Sequence, residues 1–255
     1  MQFVRFQGSN GPCYGLVEGA EVREIEGDPF TQYRPALRRH RLQDLKILPP
    51  CTPSKILALA LNYPEHASEV KQDNPEEPQV FYKPPSSVIA PGEDIVLPSI
   101  SQRVGYEAEL AVIIKNATRS VSPEKAMEHV LGYTCVNDVS ARDFQRKDKH
   151  WWRAKGFDTF CPLGPYIVTD VGDPHNLKLE LYLNGQVKQS GNTGEMLFKI
   201  PQIIAFISRA MTLLPGDVIC TGTCAGTGAL APGDEVEVRL EKVGSLRNRC
   251  RAEAK

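Results

Sequence analysis

Glu107 and Glu109 stand two positions apart in the run GYEAELAVIIKN. The rest of that run reads as a buried β-strand, and alternate side chains of a strand share a face. The two carboxylates therefore project together, followed on their face by Ala111 and Ile113. Tyr106, Ala108, Leu110, Val112 and Ile114 make the opposite face. Two like charges at the edge of a core are costly unless a proton or a cation is shared between them. The plain alternative is a half-exposed strand with solvated glutamates. Asp138 ends a second apolar run, YTCVND, where it either caps the helix that follows or joins the two glutamates around one ion. Three carboxylates without His or Cys select a hard cation, Mg²⁺ first with Mn²⁺ or Ca²⁺ as alternatives, and argue against zinc. Three protein ligands leave an octahedral ion open to water and substrate, which is a catalytic arrangement.

Other residues could act beside such a site. His66 and Glu69 are three apart in NYPEHASEV and share a face if the segment is helical. A histidine oriented by a carboxylate can serve as a general base toward water; the alternative is an ordinary surface helix. Lys155 lies among aromatic and small residues and could stabilise an oxyanion or enolate, or simply snorkel at the surface. TGTCAGTG resembles a phosphate loop but lacks the G-K-[ST] ending and the G-x-G-x-x-G spacing. Its amides and the Thr223 hydroxyl could still grip a carboxylate.

These residues need a scaffold. With 255 residues, the chain can bury a substantial core in one or two domains. Its 30 Lys and Arg balance 31 Asp and Glu for a net charge of −1, which gives no electrostatic case for nucleic acid or an anionic membrane. No run has the length of a membrane span, and MQFVRFQGSN lacks the pattern of a signal peptide, so a cytoplasmic protein is expected. Seven cysteines, none in a C-x-x-C pair, read as free thiols in a reducing compartment.

Residues 1–50 read as short strands forming a small N-terminal domain, and the proline-rich ILPPCTPSKI links it to a domain at 51–255. KILALAL is a buried strand, and YPEHASEVKQ a helix with Pro64 in its first turn. SPEKAMEHVLGY is expected to be a helix from a Ser122 cap to Gly132. YTCVNDV should run into the helix SARDFQRKDK. LKLELYLNGQVKQSG is a hairpin turning at NG, and PGDEVEVRLEKVGSLRNRC a second hairpin. Strands outnumber helices and pair largely through hairpins, so the class is α+β, dominated by β.

The pieces LNYPEHASE, VFYKPPSSVIAPGEDIVLP, VGYEAELAVII, GYTCVNDVSARDFQ, AKGFDTFCPLGP, LYLNGQVKQSGNT and PGDVICTGTCAGTG, in this order, resemble the fumarylacetoacetate hydrolase family. The resemblance implies a mixed β-roll catalytic domain, a divalent metal and a homodimer. It implies metal ligation by Glu107, Glu109 and Asp138, a His66–Glu69 dyad on a segment that orders over the substrate, and a catalytic Lys155. It places Thr223 at the carboxylate of a pyruvyl group, and Arg142 and Gln145 at the substrate or lid. This chain departs from the common pattern at Gly156, where members often carry Ser, and at Cys224, where many carry Pro.

The expected function is Mg²⁺-dependent hydrolysis of a C–C bond in an acylpyruvate-type 2-oxo acid. His66 would activate water and Lys155 would support the developing oxyanion. The alternative is a decarboxylase or isomerase of oxaloacetate-like or 2-oxo-heptene-dioate-type acids, which shares the enolate. A third possibility is a binding module without activity. Arg142, pointing inward, would favour a second carboxylate at the far end of the substrate; an ion pair with Asp143 or another carboxylate is its competing placement.

Overall fold

The computed structural model describes residues 1–254. An eleven-stranded mixed sheet forms the frame. Its main path runs Tyr33–Arg41, Glu21–Gly27, Gly11–Glu18, Gln2–Gly8, Cys161–Val168, Val130–Asn137, Ala108–Ile114, Val218–Thr223, Ile56–Ala60 and Gln79–Lys83. The short Val88–Ile89 strand pairs in parallel beside Cys161–Val168. A five-stranded sheet, ordered Gln186–Asn192, Lys178–Leu183, Glu235–Leu240, Gly244–Ala252 and Asp94–Leu97, packs across the centre of the first. A three-stranded ribbon joins Ser140–Ala141, Val104–Tyr106 and Gly228–Ala229. The architecture is α+β and dominated by strands. Among the described residues, no helix is long and apolar enough to cross a membrane.

The alternation in the central strand Ala108–Ile114 explains its place. Leu110, Val112 and Ile114 face a core shared with Leu179, Leu181, Val236 and Val238 of the five-stranded sheet. Ala111 and Ile113 face a second core with Ile56, Ala58, Val218 and Phe3. A strand covered on both faces must be apolar on both, so the carboxylates at its N-terminal end stand out as chemistry. Ile200, Ile203, Ile204 and Ile207 recur at helical spacing along Ile200–Ala210 and bury one face of that helix in the first core. Asn184 and Gly185, at φ +52° and +77°, form the tight turn between Lys178–Leu183 and Gln186–Asn192. The N-terminal strands continue the large sheet, because Gln2–Gly8 pairs antiparallel with Cys161–Val168.

Two helix expectations are corrected. The helix after Ser122 covers only Pro123–Ala126, followed by a 3₁₀ turn at Met127–His129; Gly132 already lies in the strand Val130–Asn137. Ser122 makes no side-chain cap hydrogen bond to a backbone amide. The helix after Asp138 starts only at Arg142 and ends at Lys147, so Asp138 is not its cap.

Asp217 is fully buried at the head of Val218–Thr223. It accepts the Ser54 hydroxyl at 2.6 Å and the Lys55 and Leu214 amides at 3.1 and 2.7 Å, with Lys55 Nζ at 2.5 Å. These bonds fix the parallel register of Val218 against Ile56. Asp217→Ala removes a buried acceptor and leaves the donors of Ser54, Lys55 and Leu214 without it. It should lower unfolding free energy by roughly 2–4 kcal/mol in urea titrations; an unshifted midpoint would show that the register is held elsewhere.

Candidate active site

The chain breaks its own ladder to present the first two carboxylates. Glu107 sits between the strands Val104–Tyr106 and Ala108–Ile114. The peptide groups freed there are taken up locally. Asn137 Oδ1 accepts the Glu107 amide at 3.0 Å, Gln189 Oε1 accepts the Ala108 amide at 2.9 Å, and the Glu107 carbonyl accepts from the Asp138 amide at 2.9 Å. A register shift between Glu109 and Ala111 interrupts the pairing with Val218–Thr223. There Gly222, at φ +91°, donates its N–H to Glu109 Oε2 at 2.7 Å. A Cβ at Gly222 would lie 2.8 Å from the Asn62 Cβ, so conformation and space both require glycine. The T-G-T segment thus grips a carboxylate, as its composition suggests, but the carboxylate is Glu109.

Glu107, Glu109 and Asp138 are buried, and one ligand oxygen of each lies within 4.8 Å of the others. Cations answer two of the three. Lys155 Nζ bridges Glu107 Oε2 at 2.7 Å and Asp138 Oδ2 at 2.6 Å. Arg142 donates to Glu107 Oε1 at 2.5 Å. Lys83 Nζ is 2.6 Å from Asp138 Oδ1, but that oxygen has no well-aligned hydrogen bond. Glu109 has no ion-pair partner among the described residues. The consequences for protonation differ accordingly. Burial pushes the Glu109 carboxyl well above its ordinary range, and the charges of Asp138 and Glu107 push it the same way. Burial also opposes ionisation of Glu107, but Arg142, Lys155 and His66 outweigh it and hold that carboxyl far below the usual range. Burial disfavours the Lys155 ammonium, yet Asp138 and Glu107 overcome it and keep the lysine charged.

A divalent cation fits this donor set. The three groups offer only hard oxygen ligands, Asp138 Oδ1 lacks a proper hydrogen bond, and Glu109 lacks a cation. Glu107 and Glu109 open on a cavity of about 750 Å³, and Asp138 is sealed beneath it.

The other wall carries the dyad. The helix Pro64–Glu69 begins with proline and puts His66 Nδ1 3.0 Å from Glu69 Oε2. Glu69 is fixed in turn by the Gly226 amide at 2.9 Å and the Thr227 hydroxyl at 3.3 Å. Burial is the largest single influence on the Glu69 carboxyl and raises it, but His66, the Gly226 amide and the Thr227 hydroxyl together outweigh it and hold it below its ordinary value. An ionised Glu69 selects the tautomer with the proton on Nδ1, which leaves Nε2 as the basic atom. Asn62 anchors the helix: its side chain bonds the Phe198 amide and the Thr221 carbonyl, both at 2.8 Å.

Lys155, Arg142, Gln145 and Thr223 also line the cavity. Arg142 takes its competing placement, an ion pair with another carboxylate, and Thr223 is engaged differently from the expectation. Arg142 is tied to Glu107 and to Gln145 Oε1 at 3.1 Å, so its guanidinium supports the carboxylate cluster and is not free for a distant carboxylate. The Thr223 hydroxyl donates to the Ala108 carbonyl at 2.8 Å and accepts from Gln189 Nε2 at 2.8 Å, so its proton is already used. Three participants were not singled out in the sequence: Lys83, Asn137 and Gln189. Lys83 shares its strand face with Phe81 of the cavity wall, a relation visible only once that strand is placed in the fold. Both departures from the family pattern have local reasons or positions. A side chain at Gly156 would meet the Trp152 carbonyl at 2.1 Å. Cys224 is buried in the core behind the wall.

The model for the fumarylacetoacetate (FAA) hydrolase C-terminal domain matches residues 55–251, and an Rv2993c-like N-terminal model matches residues 1–50. The chain belongs to the fumarylacetoacetate hydrolase family. Its fold is the mixed β-roll of that family with a small N-terminal domain. A human mitochondrial oxaloacetate tautomerase is 44% identical over 246 residues, covering 92% of this chain and 77% of the relative. The crystal structure of a 5-carboxymethyl-2-hydroxymuconate delta-isomerase from Mycobacterium smegmatis is 41% identical, with a TM-score of 0.93 over 99% of this chain and 100% of the other. That of a 2-hydroxyhepta-2,4-diene-1,7-dioate isomerase from Mycobacterium marinum is 40% identical, with a TM-score of 0.93 over 100% of both chains. Members of the family generally bind a divalent metal, in agreement with the acidic triad.

Glu109→Gln removes a ligand charge and also relieves repulsion in the metal-free protein. Changes one shell further out already cost metal sites about 10–100-fold. Mg²⁺ affinity measured by calorimetry should therefore fall by more than about a hundredfold, while the metal-free variant melts at the same or a higher temperature. Unaltered Mg²⁺ affinity would remove Glu109 from the site.

Proposed function

We propose that this protein is an enzyme that moves a proton at the carbon next to the keto group of a small 2-oxo acid, interconverting its keto and enol forms. One observation carries the reading. The His66–Glu69 pair opens on the same cavity as Glu107, Glu109 and Lys155, so a base and a cluster for anionic oxygens face one small space. The names of the similar tautomerase and isomerases point the same way. Mg²⁺ is the expected ion on Glu107, Glu109 and Asp138, and when bound it supplies positive charge for the carboxylate and keto oxygens of such an acid.

The chain's own groups do the rest. His66 Nε2 takes the proton from the carbon, and Glu69 stabilises the imidazolium that results. The electron pair moves to the keto oxygen, where the Lys155 ammonium offsets the developing charge. Return of the proton from Nε2 to that oxygen gives the enol. Phe81 and Trp151, with ring centroids 5.4 Å apart, form an apolar part of the wall, and Lys155 Nζ lies 4.8 Å from the Phe81 ring centre. The seven cysteines are unpaired, which suits a reducing cytoplasm.

A second reading is C–C hydrolysis of an acylpyruvate. The cavity of about 750 Å³ favours it, being roomier than a four-carbon acid requires. In that reaction His66 would take its proton from water as the water attacks the distal carbonyl. Decarboxylation of oxaloacetate would use the oxyanion-stabilising groups without the base.

His66→Ala should slow ketonisation of enol-oxaloacetate, followed by its ultraviolet absorbance, by roughly 10²–10⁴-fold. Loss of CO₂ from oxaloacetate, on the same preparation, should suffer far less. Equal losses would remove the base role from His66.

With Mg²⁺ present, a panel of oxaloacetate, acetylpyruvate, fumarylpyruvate and a β-diketone without a carboxylate separates the readings. Interconversion of oxaloacetate should exceed cleavage of either acylpyruvate; the reverse order would promote the hydrolase. Turnover of the β-diketone at the rate of the acids would overturn both.

A further inference from the structure

The cavity holds more positive charge than the chemistry above uses. Lys155, Arg142, Arg103 and Arg146 all line it. Lys155 and Arg142 are committed to the carboxylate cluster. Arg103 and Arg146 have no ion pair and no side-chain hydrogen bond among the described residues. Their acidic neighbours are taken. Asp143 accepts the Ser101 hydroxyl at 2.7 Å and the Gln102 amide at 3.1 Å, and Asp148 holds Arg153 at 2.5 and 2.8 Å.

The backbone brings these two arginines to one wall. Arg142 and Arg146 are four residues apart on the helix Arg142–Lys147 and so share a face. The Arg103 carbonyl accepts the Arg142 amide at 2.7 Å. Arg142 turns down to Glu107 through the space left by Gly105, where a Cβ would lie 2.9 Å from its Nε. Arg103 and Arg146 therefore border the cavity above the cluster. The dyad wall presents the negative Glu69 and the neutral Gln72 and Gln79. A second anionic group on the substrate is repelled from the dyad and attracted to the arginines, so the walls also set the direction in which the substrate lies.

We propose that Arg103 and Arg146 form a second anion subsite, which reads the far carboxylate of a dicarboxylic 2-oxo acid and makes the enzyme selective for diacids over monoacids. The assignment rests on the 2-oxo acid reading of the cavity, and it replaces Arg142 as the distal recognition group. Both arginines are exposed, so their attraction is solvent-screened and weakens with salt.

The test compares oxaloacetate with its 4-methyl ester in the Mg²⁺-loaded full chain and in the R103Q/R146Q double variant. The ratio of kcat/KM for diacid over ester should fall roughly tenfold in the variant, mainly through KM. Replacing both arginines by lysine should restore most of the preference, because charge is what is read. In the native protein, the preference should shrink as salt is raised. Calorimetric titration with oxalate and Mg²⁺ separates the two levels of inference, since oxalate needs only the floor of the cavity. If the native protein binds oxalate and the diacid preference survives the double substitution, the subsite is overturned. Equal loss on diacid and ester would also overturn it, in favour of a structural role. If the native protein neither binds oxalate nor turns over either compound, the 2-oxo acid reading itself fails and the subsite with it.

Discussion

Three buried carboxylates within reach of one another are the constraint that the surrounding site must answer. Burial penalises each charge, and each charge penalises the others. Much of the surrounding structure answers that cost. Lys155, Lys83 and Arg142 come from three separate parts of the sequence, and Gly222 turns a backbone amide onto the carboxylate that no side-chain cation reaches. Such a network is weak evidence of stability, because buried ion pairs often add little over an apolar core. Its persistence at the buried floor of a cavity makes better sense as preparation for a cation and an anionic ligand. The asymmetry supports this: Glu107 is held ionised by its partners, whereas Glu109 is left to an amide and resists ionisation until more positive charge arrives.

The fold supplies the network by interrupting its most regular part. Ala108–Ile114 is covered on both faces and is fixed by neighbours on both sides. At its N-terminal end, the ladder breaks at Glu107 and shifts register after Glu109. Each peptide group released there is recovered by a side chain or amide from elsewhere, including Asn137 and Gln189. Gln189 belongs to the hairpin of the five-stranded sheet, so the second layer reaches into the site as well as covering the core. Rigid strands on both sides hold the irregular point in place, which is what a preorganised charged site requires.

The parts of this arrangement visible in the sequence were those set by local periodicity and chemical type. Alternation paired Glu107 with Glu109, helical spacing paired His66 with Glu69, and the NG turn marked the hairpin at Asn184–Gly185. Features that depend on distant pairing were not legible. The amide grip of the T-G-T segment could be read as an anion site, but only the register against Ala108–Ile114 shows that Glu109 is its target. Arg142 was legible as a cation near the site; its partner, 35 residues earlier in the chain, was not. Lys83 was hidden because its partner, Asp138, is far along the chain and meets it only in the folded chain. The helix boundaries after Ser122 and Asp138 failed for the opposite reason. Local propensity favours longer helices there, and strand pairing claims Val130–Asn137 and Ser140–Ala141 first.

One strand connects the two chemical halves of the cavity. Val218–Thr223 donates the Gly222 amide to Glu109, and the loop after it donates the Gly226 amide to Glu69. The acid cluster and the orienter of the base are therefore registered against the same piece of backbone, four residues apart. Asn62 adds a third tie, from the start of the dyad helix to the Thr221 carbonyl of that strand. A displacement of this backbone would move the base and the anionic floor together and preserve their separation. That separation is what a proton transfer between a carbon and an oxygen of one small molecule demands, because both atoms must be met by groups placed before the substrate arrives. On the proposed reading, selectivity falls to the opposite wall, where Arg142 carries the tie to the cluster and Arg103 and Arg146 border the open cavity. The proposed anion subsite is therefore separate from the backbone that registers the base, but Arg146 shares the helix Arg142–Lys147 with the residue that supports Glu107.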